Sequence, residues 1–473
     1  MAASTIWAAY AAAIATLAGP GGLGLTNLQR FAINKQNDFS IPVVPYANQL
    51  YQNWNVYQFA STVPKKDVAV LVDSGQNYDT AYGVYLDNVF LQVPNDPRGK
   101  AQMEAWAAKL SALRISIQTS KAAAKKDFAT DCPNGIDPFT NKPTTLGEYA
   151  AIYYPEIADN MKEIATIEAV RAEFEAENSG GAQLARLNTW RGALAKGTNQ
   201  SSGFVNYNMP VLQAEEDVIV EVVNGTLMAN NQPTSFEASY SIGGSFNKIA
   251  KNWIDTFPKE YPYDRKRYDQ GKSTYSVKTI DITKNNWAQY GYGSKTQSTG
   301  SDGWIFWSTK NTQTNTWSYK NVYVNETSFI SGITVSAWGI GKFPIQKGQW
   351  YQGNPLATFP VLVDSGEMSK KNITDHVSEQ VTSVVMGYGV ETTFQLEKTA
   401  YERLAGAIST AKSSGGSISI FGSLYGKSDG SYSSTYEPWD NIKQHKEGNT
   451  ITLLAHNNKV PMILGATITT ITP

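Results

Sequence analysis

Apolar residues recur every three or four positions between residues 101 and 196, which is the spacing of one face of an α-helix. Pro155 suits the first turn of a helix, and Gly180 with Gly181 suits a helix end. The pattern therefore predicts three amphipathic helices, each burying one stripe. The stripes are Met103, Trp106, Leu110, Leu113 and Ile117, then Ile157, Met161, Ile164, Ile167, Val170 and Phe174, then Leu184, Leu187, Trp190 and Leu194.

After Phe204 the hydrophobic period changes to two, which is typical of β-strands with one buried face. The strongest hairpin pattern is 218–228, where Asn224-Gly225 suits a type I′ turn between two apolar runs. Further strands are predicted at 317–324 and 333–338, with a closing strand at 460–471. One helix, 396–412, interrupts this region and places Leu404 and Ile408 on one face.

These two periods predict an α+β fold. The expected organisation is a mainly helical region at 1–200, with an N-terminal strand and loop segment, followed by a mainly antiparallel, β-sandwich-like region at 201–473 with the inserted helix at 396–412. The length of 473 residues fits two or three domains of common size.

The charges nearly cancel, because 40 Lys and Arg face 41 Asp and Glu. A protein without a basic excess has little counterion release to gain from a phosphate backbone, so nucleic acid is not an expected partner. Only three histidines are present, and no metal site or cofactor is predicted. The acidic residues of the second helix are expected to form a solvated face, since no histidine accompanies them; they are Glu163, Glu168, Glu173, Glu175 and Glu177.

Cys132 is the single cysteine and cannot form an internal disulfide, which leaves an intermolecular one as its candidate role. The apolar stretch 6–18 is shorter than the roughly 20 residues that cross a bilayer, and no basic residue precedes it. It is predicted to be a structural helix. We expect a cytoplasmic or intracellular-inclusion location, with secretion lacking a recognisable signal peptide as the alternative.

A six-residue segment, Val-Leu-Val-Asp-Ser-Gly, occurs at 70–75 and again at 361–366. Each copy reads as an apolar strand that ends in a turn, and the Asp side chain can cap its own backbone there. Alternatively, Asp73 and Asp364 are carboxylates at strand ends, where acid and base groups often lie. They are the first suspects for catalysis, because few other side chains titrate near neutrality.

Aromatic residues are concentrated between Trp287 and Tyr351, among Ser, Thr, Asn and Gln with few charges. Rings with a polar tip bury large areas at low entropy cost, so they suit protein interfaces and sugar faces, although sheet cores are aromatic as well. The candidate interface or glycan-binding residues are Trp287, Trp304, Trp307, Trp317, Trp338, Trp350 and Tyr351.

Three classes of function fit these patterns. The first is a non-catalytic, self-assembling or structural protein that forms a homo-oligomer through aromatic β surfaces, favoured by near-zero net charge. The second is a glycan- or membrane-targeting protein of the toxin or lectin type. The third is a carboxylate-dependent hydrolase of carbohydrates, for which Asp73 and Asp364 would need to lie within roughly 5–10 Å of each other. The expectation favours a protein that is not an enzyme.

Overall fold

The computed structural model describes residues 14, 25–34, 41, 43, 49–64, 70–71, 77–91, 96–132, 136–144, 146–178, 181–198, 238–257, 278–283, 306–311, 316–321, 330–359, 370–413, 417–420, 423–426, 436–437, 439–454 and 461–473. Its helices are α1 (Gln49–Ala60), α2 (Tyr78–Asp87), α3 (Pro97–Asp131), α4 (Leu146–Tyr153), α5 (Glu156–Asn178), α6 (Ala182–Thr198), α7 (Phe246–Thr256), α8 (Pro355–Thr358), α9 (Lys370–Val377) and α10 (Lys398–Ser413).

The strands are β1 (Gln29–Asn34), β2 (Val70–Leu71), β3 (Ile136–Asp137), β4 (Lys142–Pro143), β5 (Tyr240–Ile242), β6 (Lys278–Thr283), β7 (Phe306–Asn311), β8 (Thr316–Asn321), β9 (Ile330–Lys347), β10 (Glu379–Leu396), β11 (Ser417–Ile420), β12 (Ser423–Gly426), β13 (Tyr436–Glu437), β14 (Ile442–His445), β15 (Thr450–Leu453) and β16 (Met462–Thr470).

A nine-stranded sheet organises the molecule around β9 and β10, which are 18 residues each and antiparallel. The other edge of β10 pairs first with β16 and then with β15, while β9 also pairs with β5 and β6. Strand β1 joins the sheet beside β16, and the short β2 adds a parallel pair to β1. The N-terminal part of the chain therefore supplies strands to the same sheet as the C-terminal part.

The largest hydrophobic core lies between this sheet and helices α1, α2 and α6. It collects residues from both halves of the sequence, among them Tyr82, Trp190, Trp350 and Val384. A second cluster joins α3, α4 and α5 through residues such as Leu110 and Ile164. The helical layer is thus attached to the sheet mainly through α2 and α6.

The predicted α+β class, with helices before residue 200 and antiparallel sheet after it, is confirmed. The three predicted helices correspond to α3, α5 and α6, the inserted helix to α10 and the closing strand to β16. The division into regions at residue 200 stays a prediction. The predicted hairpin at 218–228 lies outside the described residues, as does the predicted helix at 6–18 except for the helical, buried Ile14.

Helices α1, α2, α4, α7, α8 and α9 were not predicted, and the first two show why. Nine of the ten residues of α2 are buried, so the helix lacks the polar face that produces a period of 3.6. Helix α1 is rich in Gln, Asn and Tyr rather than in an apolar stripe. Neither segment could be recognised by an alternation of polar and apolar residues.

Candidate functional site

The residues suspected of catalysis, Asp73 and Asp364, lie outside the described residues, and so do Trp287 and Trp304. Their predicted roles stay predictions. Of the two copies of the repeated segment, only Val70 and Leu71 are described, and they form β2.

Trp350 lies inside the largest core and is 0% exposed. Its indole N–H donates to the Ser239 carbonyl over 2.9 Å, and its ring centroid lies 5.5 Å from that of Tyr240 and 5.8 Å from that of Tyr82. Gly197 makes this packing possible, because a Cβ at that position would lie 2.3 Å from the Trp350 Cβ. Trp350 therefore joins α6 to the sheet and offers no exposed surface.

Trp338 and Tyr351 are only partly exposed. Trp338 packs edge-on against Phe257, with ring centroids 5.7 Å apart, and its N–H donates to Thr256. Tyr351 packs against Tyr82, with ring centroids 5.3 Å apart. Both side chains therefore pack mainly against residues of their own chain.

Trp307 and Trp317 belong to the two-stranded hairpin of β7 and β8. Directly opposite residues of an antiparallel pair lie on the same face, and Phe306 pairs with Asn321, Ser308 with Tyr319 and Lys310 with Trp317. These six positions make one face, which we name the aromatic hairpin face. Trp307 lies on the opposite face, across from Lys320.

The helical layer contains a buried cluster of charges that sequence reasoning missed. Asp87, at the end of α2, is 0% exposed and accepts a hydrogen bond of 2.6 Å from Arg114 Nε. The Arg114 Nη2 also donates to Glu168 over 2.7 Å. Burial opposes the charge of Arg114, but these two carboxylates outweigh it and raise the pKa of the guanidinium.

Two further arginines hold the carboxyl end of α2. Arg171 donates to the Asp87 and Val89 carbonyls, and Arg191 Nη2 donates to the Leu86 carbonyl over 2.9 Å. Glu175 lies between them and accepts 2.8 Å hydrogen bonds from both side chains. The carbonyls at a helix end lack helical partners and carry partial negative charge, so the two cations satisfy them.

The chemistry of this charge cluster is structural. Burial, together with the charge of Arg171, lowers the pKa of Arg191 to about 10, so it remains protonated at neutral pH. Each cation has a carboxylate partner, and no carboxylate within the cluster is left to act as an acid or base. We therefore assign the cluster to the stability of the junction between α2, α3, α5 and α6.

The expectation of a solvated acidic face on α5 was wrong for Glu168 and Glu175. The core-facing stripe of Ile157, Met161 and Ile164 continues at the same spacing through Glu168, Arg171 and Glu175, while Val170 is 47% exposed. Glu163 does face solvent and pairs with Lys109 over 3.2 Å. The sequence did contain a signal for this cluster. Charged residues continue the apolar stripe at the same spacing, and Arg171 and Glu175 are four positions apart, which is the distance of an ion pair on a helix.

Lys347, at the end of β9, lies among tyrosines at the edge of the largest core. Its Nζ is 4.5 Å from the ring centroid of Tyr351 and 5.1 Å from that of Tyr78. Burial lowers the pKa of Lys347 to about 7 and raises the pKa values of Tyr78 and Tyr240. This tyrosine–lysine cluster holds the most strongly perturbed amine of the described residues.

A surface groove of about 750 Å³ runs between α6 and the turn after β9. Its polar lining consists of amides, hydroxyls and one ammonium group, from Asn188, Thr189, Lys196, Ser239, Gln349 and Gln352, with Trp350 beneath. Amides and hydroxyls both donate and accept hydrogen bonds, which suits an uncharged polar ligand.

Among the described residues, no three His, Cys, Asp or Glu side chains are arranged to hold a metal ion. None of the described helices combines the length and the apolar composition that crossing a membrane requires. Cys132 is a free thiol, 2% exposed, and burial raises its pKa. Its intermolecular disulfide stays a prediction. His376 lies in α9, where burial lowers its pKa.

The chain matches no protein-family model, no curated protein and no solved structure. The described residues thus offer four candidate regions, which are the charge cluster, the tyrosine–lysine cluster, the groove and the aromatic hairpin face.

Proposed function

We propose that the chain is a non-catalytic protein that self-associates through the aromatic hairpin face. The observation that carries the proposal is the register of β7 and β8, which collects Phe306, Trp317 and Tyr319 on one side of a two-stranded sheet. The partner is a second copy of the same chain, because a formal net charge of −1 leaves little repulsion between copies.

The stability of small sheets supports this proposal. An isolated two-stranded hairpin is marginally stable in water and gains from a covered apolar face. Strand β11 of a separate three-stranded sheet lies close to β7 without pairing with it. Three large aromatic side chains could bury roughly 450–750 Å², close to the roughly 800 Å² that each partner contributes to a standard interface.

The packing of the other candidate aromatic residues supports the choice of this hairpin. Trp338, Trp350 and Tyr351 pack against residues of their own chain, so we do not assign them to contacts with a second copy. The charge cluster offers no competing catalytic assignment, because its carboxylates are already paired with arginines.

The test compares two faces of the same hairpin by mass photometry and light scattering at tens of micromolar. The double variant Trp317→Ser, Tyr319→Ser removes two rings from the aromatic hairpin face, and Trp307→Ser removes one from the opposite face. We expect the wild type and Trp307→Ser to associate and the double variant to run at the 51.8 kDa of one chain. A monomeric wild type, or a double variant that associates as the wild type does, would contradict the proposal.

The groove favours a second candidate function, the binding of a glycan. Its lining of amides and hydroxyls matches the hydroxyls of a sugar, and no carboxylate lines it among the described residues. We expect Gln352→Ala and Asn188→Ala to reduce binding on a glycan array at least several-fold, with the exposed Glu163→Gln as a neutral control. Absence of binding to any neutral glycan would end this candidate.

A further inference from the structure

Exposed apolar side chains are concentrated at one end of the helical layer. The described residues include eight large hydrophobic side chains that are at least 37% exposed, and four of them fall within an 18-residue stretch. Ile136 and Phe139 belong to the hairpin of β3 and β4, and Ile152 and Tyr153 end α4. We name these four residues the apolar patch. Single exposed apolar residues are ordinary, whereas a group of them marks a surface that contacts a partner.

The most exposed member of the apolar patch is held in a fixed position. Phe139 is 74% exposed, and its ring centroid lies 5.8 Å from that of Tyr153. The buried Asp137 carboxylate accepts hydrogen bonds from the Phe139 N–H over 2.8 Å, from the Thr140 N–H over 3.2 Å and from the Tyr153 hydroxyl over 3.3 Å. A ring that is already positioned loses less conformational freedom when a partner covers it.

The charge around the apolar patch is negative. Glu148 is exposed and precedes Ile152 by four positions in α4, so the two side chains lie on the same side of the helix. The whole chain has a net charge of only −1, but the sequence from 127 to 159 contains six carboxylates and one lysine. These residues are Asp127, Asp131, Asp137, Glu148, Glu156, Asp159 and Lys142.

The sign of this charge selects among possible partners. Nucleic acids and anionic lipid surfaces carry the same sign and are repelled. In a symmetric dimer the same surface of both copies meets itself, so a second copy would place Glu148 and its acidic neighbours against their equivalents. A partner with basic groups around an apolar centre complements both the charge and the exposed rings.

We propose that the apolar patch docks a basic peptide segment of another protein, in which Lys or Arg residues flank one or two large apolar side chains. The apolar side chains of the peptide cover Phe139 and Ile152, and its cations lie beside Glu148. This surface belongs to the helical layer and is separate from the aromatic hairpin face, so the docking does not depend on self-association.

The test presents the whole protein with a displayed library of random twelve-residue peptides, from which peptides that bind Phe139→Ser are removed first. We expect the enriched peptides to combine Lys or Arg with aromatic or aliphatic residues. Fluorescence anisotropy then gives the affinity of the most enriched synthetic peptide. Ile152→Ser should weaken its binding at least about fivefold, because an apolar contact is lost. Ile249→Ser removes an exposed apolar side chain from α7 and should leave the affinity unchanged.

The contribution of charge is measured separately. Glu148→Gln should lower the association rate about two- to threefold and reduce its dependence on salt, since a charge at the rim acts mainly on the encounter. Enrichment of acidic or uncharged peptides, no enrichment, or an affinity unaffected by Ile152→Ser overturns the proposal. Loss of self-association in Phe139→Ser does so too, because a second copy would then cover the apolar patch. Circular dichroism of each variant verifies that the fold is retained.

Discussion

The helical layer and the edge of the sheet each bury cations, but they surround them differently. Arg171 and Arg191 share Glu175 and donate their remaining N–H groups to carbonyls at the end of α2. Lys347 has ring faces and an amide oxygen instead. Burial acts on both sites, yet Arg191 stays charged near neutrality, whereas a pKa of about 7 leaves Lys347 about half charged there. A buried cation therefore keeps its charge when a carboxylate accompanies it, and loses part of that charge when only weaker partners do.

The largest effect is expected from removing the shared carboxylate. Glu175→Ala leaves Arg171 and Arg191 buried without their counter-charge, which should lower the free energy of unfolding by about 3–5 kcal/mol. Urea denaturation measures the change. Glu163→Ala removes an exposed pair with Lys109 and should cost less than about 0.5 kcal/mol. Similar costs for the two variants would show that the charge cluster does not hold the junction of helices.

The next effect concerns the pH dependence of stability at Lys347. Its pKa in the folded state, about 7, lies below the ordinary value, so the unfolded chain binds more protons between about pH 7 and pH 10. Wild-type stability should therefore rise across this window and be lowest below it. In Lys347→Met this contribution disappears, so the free energy of unfolding of the wild type, relative to that of the variant, should rise by about 3–4 kcal/mol from pH 6 to pH 10.

Denaturation curves at pH 6, 8 and 10 provide the measurement, and Lys398→Met is the control for a lysine exposed to solvent. A constant difference between Lys347→Met and wild type across these pH values would mean that the amine is charged in the folded protein. The contrast between the two buried cations would then fail.

A smaller loss of stability is expected when Arg191 is replaced by another cation that cannot make the same hydrogen bonds. Arg191→Lys retains a cation beside Glu175, yet a single ammonium group cannot also reach the Leu86 carbonyl as the guanidinium does. The free energy of unfolding should fall by about 1–2 kcal/mol. A variant as stable as the wild type would show that net charge alone satisfies the end of α2.

The sequence allowed the fold class and the principal helices to be predicted, because α3 and α6 bury one face and carry the helical period. Strand β16 was predicted from its alternation of Thr and Ile, although six successive residues of it are buried. The sequence did not allow α2 to be predicted, since a helix buried on all sides has no polar face to mark it. One partner of Glu175, Arg191, lies 16 positions away, and one partner of Lys347, Gln380, lies 33 positions away. Tertiary packing creates those partners, and local patterns could show only that Arg171 and Glu175 continue an apolar stripe.

The aromatic residues give a second example of what the sequence could not predict. The concentration of rings before residue 351 was visible in the sequence, but Trp350 and Trp317 were indistinguishable there. The structure places Trp350 in the core and Trp317 on the aromatic hairpin face. Composition alone therefore does not show which rings the core takes up.

The most direct test of self-association asks which face of the hairpin meets its copy. In a Cys132→Ser background, Ser308→Cys places a thiol on the aromatic hairpin face, and Thr309→Cys places one on the opposite face. A symmetric dimer brings equivalent residues of the two copies close together, so a short bismaleimide should join Ser308→Cys into a species of twice the 51.8 kDa chain mass and leave Thr309→Cys monomeric. Equal cross-linking of both variants, or none in either, would contradict the account.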